Sequence, residues 1–185
     1  MREGDIELFF IGSLFARELG DDKDPLELFF YRGKCRDRIL EYLEDRDVIP
    51  TMKMMGIREM VCFDGLDNLK KIYEPYGISK NDIINHNFPE CMKNNRCFIL
   101  GLLELLCIPK FENRELKSIK IVTDSEKQVE FLKKNILNSV EFDSQNLEDP
   151  NGKKYHLIII DDEQFLQSYV SSNSCYRISK LYRDK

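Results

Sequence analysis

The chain has 185 residues, 42% hydrophobic and 33% charged, a globular composition sufficient for one domain of ordinary size with a real core. Its net charge of -5 and pI near 5.2 exclude a grip on nucleic acid through a broad basic face. No apolar run approaches the length of a membrane span, and MREGDIELFF has neither signal-peptide nor transit-peptide character, so a soluble protein of cytosol or nucleus is expected, without a membrane partner.

The first predicted element is a helix within residues 3–19, where Ile6, Phe9, Phe10, Leu14, Phe15 and Leu19 recur at roughly helical spacing before Gly20. Asp24-Pro25 reads as an N-cap and first-turn pair opening a long helix that carries Leu26, Phe29, Phe30, Ile39, Leu40 and Leu43, with Gly33 as a possible break, and ends before Pro50. Residues 1–50 thus form a helical arm, and 51–185 the main domain. The phenylalanines Phe9, Phe10, Phe15, Phe29 and Phe30 make the arm apolar enough either to pack on a sheet or to bind a protein partner.

IREMVCF (57–63) is the first convincing strand, followed by the turn Asp64, Gly65, Asp67 and Asn68. Residues 74–87 have no period and read as an irregular connection. NNRCFILGLLELLCIPK (94–110) holds a helix apolar nearly all round, hence buried, stopped by Pro109. SIKIVTD (118–124) is a strand, and Ser125 with Gln128 caps the helix that follows it. A short strand over 139–143 and the apolar strand YHLIIIDD (155–162) come next, then a helix through EQFLQSYV. No internal repeat is visible. Near-continuous apolar strands alternating with a helix predict a mostly parallel, Rossmann-like three-layer α/β sheet of about five strands, with Val122 and Ile159 packed on both faces.

In such a sheet chemistry sits beyond the carboxyl ends of the strands. The residues there are Gly65, Asp67 and Asn68 after the first strand, Asp124 after the second and Asp161 after the last, and these are the candidate cofactor-binding set. The loop 64–68 has one glycine and two carboxylates, so it fails as a phosphate cradle. Asp124 matches the acidic position that holds a ribose, but any strand-to-helix turn also favours an aspartate cap. Asp161-Asp162-Glu163 can bind a hard cation, act as acid and base, or simply complement a helix dipole. No GxSxG, HExxH, GxxxxGK[ST] or Cys-His arrangement occurs. The six cysteines form no CxxC pair, and Cys62 and Cys107 lie in apolar runs, as buried free thiols do; His86 and His156 stand in unrelated contexts, so no metal site is expected. At the C-terminus Arg177, Lys180, Arg183 and Lys185 form a local basic strip that reads as the end of a solvated helix.

IREMVCFDGLDNL (57–69) and RCFILGLLELLCIPK (96–110) together resemble the "sensitivity to red light reduced" (SRR-like) domain family, its strand and glycine turn and its leucine-rich helix before an Ile-Pro step. The resemblance implies a Rossmann-like regulatory protein without an established reaction. Asp67 stands where that family has a second glycine. TDSEKQVEFLKKNI followed by VEFDSQNLEDPNGKKYHLIIIDD is similar to class I methyltransferases, although no GxGxG turn is present. The expected function is a non-catalytic regulatory or scaffolding protein acting through protein contacts, homo- or hetero-oligomeric, with no cofactor; the alternative is a degenerate S-adenosylmethionine-dependent methyltransferase.

Overall fold

Two helices that are apolar on nearly every side need burial on nearly every side, and this need shapes the first half of the chain. The computed structural model describes residues 3–172 except 21, 23–24, 32–33, 56–57, 114 and 139. The expected cap at Asp24, the break at Gly33, Cys175 and the terminal basic strip lie outside the described residues. The chain divides into two compact units, Met1–Leu105 and Leu106–Lys185.

The first unit runs α1 (Glu3–Leu14), β1 (Leu26–Tyr31), α2 (Lys34–Glu44), β2 (Thr51–Met55), β3 (Arg58–Phe63), the short helices α3 (Lys70–Tyr73) and α4 (Lys80–Ile84), and α5 (Arg96–Leu106). Phe9 to Phe15 are buried without exception, and Ser13 satisfies its hydroxyl by donating to the Phe10 carbonyl at 2.7 Å. The two apolar helices meet at glycines. A Cβ on Gly12 would sit 2.0 Å from the carbonyl oxygen of Phe98, and one on Gly101 would sit 1.8 Å from that of Phe9. The contact is reciprocal, because each glycine lies three residues after the phenylalanine that the other glycine meets. Phe15 stacks on Phe88 at 5.1 Å and meets Phe98 edge-on at 5.3 Å, while Phe10 packs edge-on against Phe63 of β3 at 5.7 Å.

The segment expected to continue a helical arm contains a strand instead. In LELFFY, Leu26, Leu28 and Phe30 are buried and Glu27 and Phe29 exposed, a period of two that the Phe29-Phe30 doublet disguises. β1 and β2 both pair antiparallel with β3 in the order β1–β3–β2. Glu59, on the packed face of β3, is paired with Arg36 of α2.

The second unit runs β4 (Cys107–Glu112), β5 (Glu115–Thr123), α6 (Glu126–Asn135), β6 (Asp143–Glu148), β7 (Lys154–Ile160) and α7 (Glu163–Ser172). α5 passes directly into β4, so Pro109 does not stop a helix; it sits in an edge strand, where its missing N–H costs no ladder bond. The strand expected at 139–143 begins only at Asp143. The sheet order is β4–β5–β7–β6, and every pairing is antiparallel. Ser125 caps α6 by accepting from the Gln128 N–H, as its sequence predicts.

These sheets correct the expected Rossmann-like architecture, and with it the structural basis of the SRR-like and methyltransferase resemblances. β5, α6 and β6 do form a crossover between strands of the same direction, but β7 inserts between them and opposes both. The first unit repeats this arrangement, with β3 inserted between β1 and β2 after the α2 crossover. A structural repeat therefore exists that the sequence did not reveal: behind a buried helix, strand, helix, strand, strand, with the extra strand β4 standing between helix and repeat in the second copy.

Gly101→Ala should cost at least about 2 kcal/mol in urea unfolding, since its methyl would displace backbone rather than a side-chain tip. Gly4→Ala, in α1 and with nothing within 4 Å of the added Cβ, should be neutral or stabilise by up to about 1 kcal/mol. Equal effects would contradict the helix crossing.

Candidate functional site

Antiparallel pairing disperses the residues expected to form a cofactor site. β5 and β7 run in opposite directions, with Thr123 opposite His156 and Ile119 opposite Ile160. Asp124 and Asp161 therefore leave opposite ends of the sheet, separated by about five residues of strand, roughly 17 Å. The Asp124 carboxylate is buried and held by the Lys153 ammonium at 2.7 Å. Asp161 is exposed, and its neighbour Asp162 caps α7 by accepting from the Phe165 N–H at 2.7 Å. In the first unit Gly65 turns at φ 108°, a conformation that favours glycine, and Asn68 is exposed. Asp67 accepts from Lys70 at 2.8 Å and Lys80 at 3.0 Å, which holds its carboxyl below the usual range, the Lys70 hydrogen bond first. Asp67 and Asp124 thus have lysine partners and Gly65 a turn to make, while Asn68 and Asp161 are exposed.

The expected partner surface is also accounted for by the core. Phe9, Phe10, Phe15 and Phe30 are buried, and only Phe29, on the outer face of β1, reaches solvent.

The feature that sequence reading missed is the outer face of the second sheet. Alternation along β5 puts Ile119, Ile121 and Thr123 on the packed face with Ile158 and Ile160 of β7, where α6 and α7 contact the sheet. The opposite face carries Lys120 and Val122 from β5, Ile108 and Lys110 from β4, Tyr155, Leu157 and Ile159 from β7, and Asp143, Gln145 and Leu147 from β6. Ile108 is 47% exposed, Val122 38% and Leu147 42%. Val122 is thus not packed on both faces, and Ile159 is half-buried. A signal existed in the Ile119-Lys120-Ile121 alternation within β5, which a half-buried strand shows and a doubly covered one does not.

No protein-family model matches the chain, and no curated protein does. Solved structures do. The N-terminal LAGLIDADG domain of DUF199/WhiA is similar over 98% of this chain and 88% of its own, at 11% identity and a TM-score of 0.57. Full-length DUF199/WhiA from Thermatoga maritima matches over 98% of this chain at 12% identity and a TM-score of 0.53, this chain spanning 59% of its length. A variant of I-DmoI, in complex with its target DNA and in the presence of Mn, matches over 94% of this chain and 97% of its own, at 15% identity and a TM-score of 0.53. The fold is of the LAGLIDADG type. The SRR-like and methyltransferase resemblances are set aside, and the scaffolding and methyltransferase functions inferred through them fall with them. So does the exclusion of nucleic acid on net charge, because a summed charge says nothing about how one face is built.

Ile121→Ala, on the packed face, should cost about 2–5 kcal/mol in urea unfolding. Its neighbour Val122→Ala, on the outer face, should cost less than about 1 kcal/mol. A reversed order would show that the two faces have been exchanged.

Proposed function

We propose that this chain binds duplex DNA, and that the outer face of the β4–β5–β7–β6 sheet is the surface that does so. The observation that carries the reading is this open sheet face, presenting Lys110, Lys120 and Gln145 among exposed aliphatic side chains. An antiparallel sheet covered by helices on one side leaves a side-chain-bearing surface on the other, and β-structure of this kind can enter a major groove. The fold is shared with I-DmoI, whose variant is seen with its target DNA.

Charge distribution supports the choice of the second unit. Residues 1–105 hold fifteen Lys and Arg against twenty Asp and Glu, whereas residues 106–185 hold thirteen of each. The whole deficit lies in the first unit. On the outer face itself Lys110 and Lys120 stand with Asp143 and Glu112, the latter paired with Lys110 at 2.7 Å, so the face is close to neutral. So near a balance implies modest, salt-sensitive affinity.

The reading stops at binding. Among the described residues no three His, Cys, Asp or Glu side chains come together in a group that could hold a metal ion.

Fluorescence anisotropy with a 30-base-pair duplex at varied salt tests the proposal. Lys110→Glu with Lys120→Glu should weaken binding at least about tenfold and reduce the slope of log K against log salt by about 2. Lys133→Glu with Lys134→Glu, the same charge change in the last turn of α6, should leave both unchanged. Equal losses from both pairs, or no binding by the unaltered protein at low salt, would overturn the proposal.

A further inference from the structure

The outer face of the second sheet is short of charge for a surface that only follows phosphates. Its register sets the side chains in rows: Ile108, Lys120, Ile159 and Asp143; then Val122, Leu157 and Gln145; then Tyr155 and Leu147. Three exposed aliphatic groups, Ile108, Val122 and Leu147, stand on three different strands. Phosphate oxygens gain nothing from such groups. In duplex DNA the apolar partner exposed in the major groove is the 5-methyl group of thymine.

Resting on the DNA-binding reading above, we infer that this face recognises thymine-bearing sites, with Ile108, Val122 and Leu147 packing on thymine methyls and the Gln145 carboxamide addressing the paired adenine. From β4 to β6 is three inter-strand spacings, about 14 Å, more than a major groove roughly 12 Å wide, so the sheet fits with its rows running along the groove and two or three strands inside it at any one point. The chemistry is consistent too, since glutamine makes its paired hydrogen bonds to adenine N6 and N7, on the base opposite the methyl-bearing thymine. Gln145 shares its row with Val122 and Leu157, so apolar and amide contacts can fall on one base pair. Asp143, at the end of its row, accepts hydrogen bonds but repels phosphate, which disfavours a purely backbone-bound pose. A second copy of the chain is the competing occupant of an apolar sheet face.

The test uses the full chain. Duplexes enriched by selection from a randomised 30-base-pair library are remade with deoxyuridine in place of every thymidine, which removes the methyl groups and keeps pairing and phosphates. Burial of one methyl contributes about fourfold in affinity, so contacts to one to three methyls predict a loss of about four- to sixtyfold. Ile108→Ser with Leu147→Ser, at exposed positions, should bind the thymidine and deoxyuridine duplexes more nearly alike. Thymidine and deoxyuridine duplexes bound equally by the unaltered protein would overturn the inference while leaving the DNA reading intact. Failure to enrich any duplex would overturn both. Sedimentation showing concentration-dependent self-association that the double variant abolishes, with DNA affinity unmoved, would assign the face to a second copy instead.

Discussion

The reciprocal seating of Gly12 against the Phe98 carbonyl and Gly101 against the Phe9 carbonyl is the contact on which the rest of this structure depends. Helices as apolar as α1 and α5 cannot remain at a surface, and helices this close in backbone cannot carry a Cβ at the crossing. Two glycines on matching Phe-x-x-Gly segments satisfy both conditions at once. Each helix leads into one copy of the strand–helix–strand–strand repeat, with β4 added ahead of the second copy. α1 is followed by the β1–β3–β2 sheet, and α5 runs without interruption into β4 and the second sheet. Around the crossing, the ring cluster of Phe15, Phe88 and Phe98 fills the first unit's interior.

Using the helices as core has a consequence for the sheets. In the second unit α6 and α7 contact β5 on the face that buries Ile119, Ile121, Ile158 and Ile160, and the opposite face of the same strands is more open. That face is where a sheet-based fold has side chains to spare for a ligand. The packed face is fixed by hydrophobic burial, whereas Lys110, Lys120 and Gln145 contribute little that the fold needs. The edge strand β6, DSQNLE, is exposed along its whole length and mostly polar, which protects an open sheet edge from pairing with other chains.

Much of the local structure was legible in the sequence. The strands read at 57–63, 118–124 and 155–162 fall on β3, on most of β5 and on β7, and the apolar helix and the Ser125 cap likewise follow from periodicity and capping chemistry. Strand direction was not legible. Val122 and Ile159, apolar on a half-open face, made β5 and β7 look buried on both sides, which is the mark of a parallel sheet. The same two residues thus misdirected the fold assignment and belong to the candidate interface. Residues 26–31 failed for a related reason, because adjacent phenylalanines satisfy helical spacing as well as alternation. The repeat stayed hidden because Phe-x-x-Gly is too short to stand out, and its meaning lies in a backbone contact that no composition reports. The acidic net charge concealed a second unit whose positive and negative residues balance.

The central claim, that duplex DNA lies on the outer face of the second sheet, is tested most directly by methyl-resolved NMR of the labelled chain titrated with a 30-base-pair duplex. The isoleucine, leucine and valine methyls divide cleanly between the two faces of that sheet. The account predicts shifts at Ile108, Val122, Leu147, Leu157 and Ile159, with Ile119, Ile121, Ile158 and Ile160 unmoved. Shifts confined to the packed-face or helix methyls, or none at saturating DNA, would contradict it.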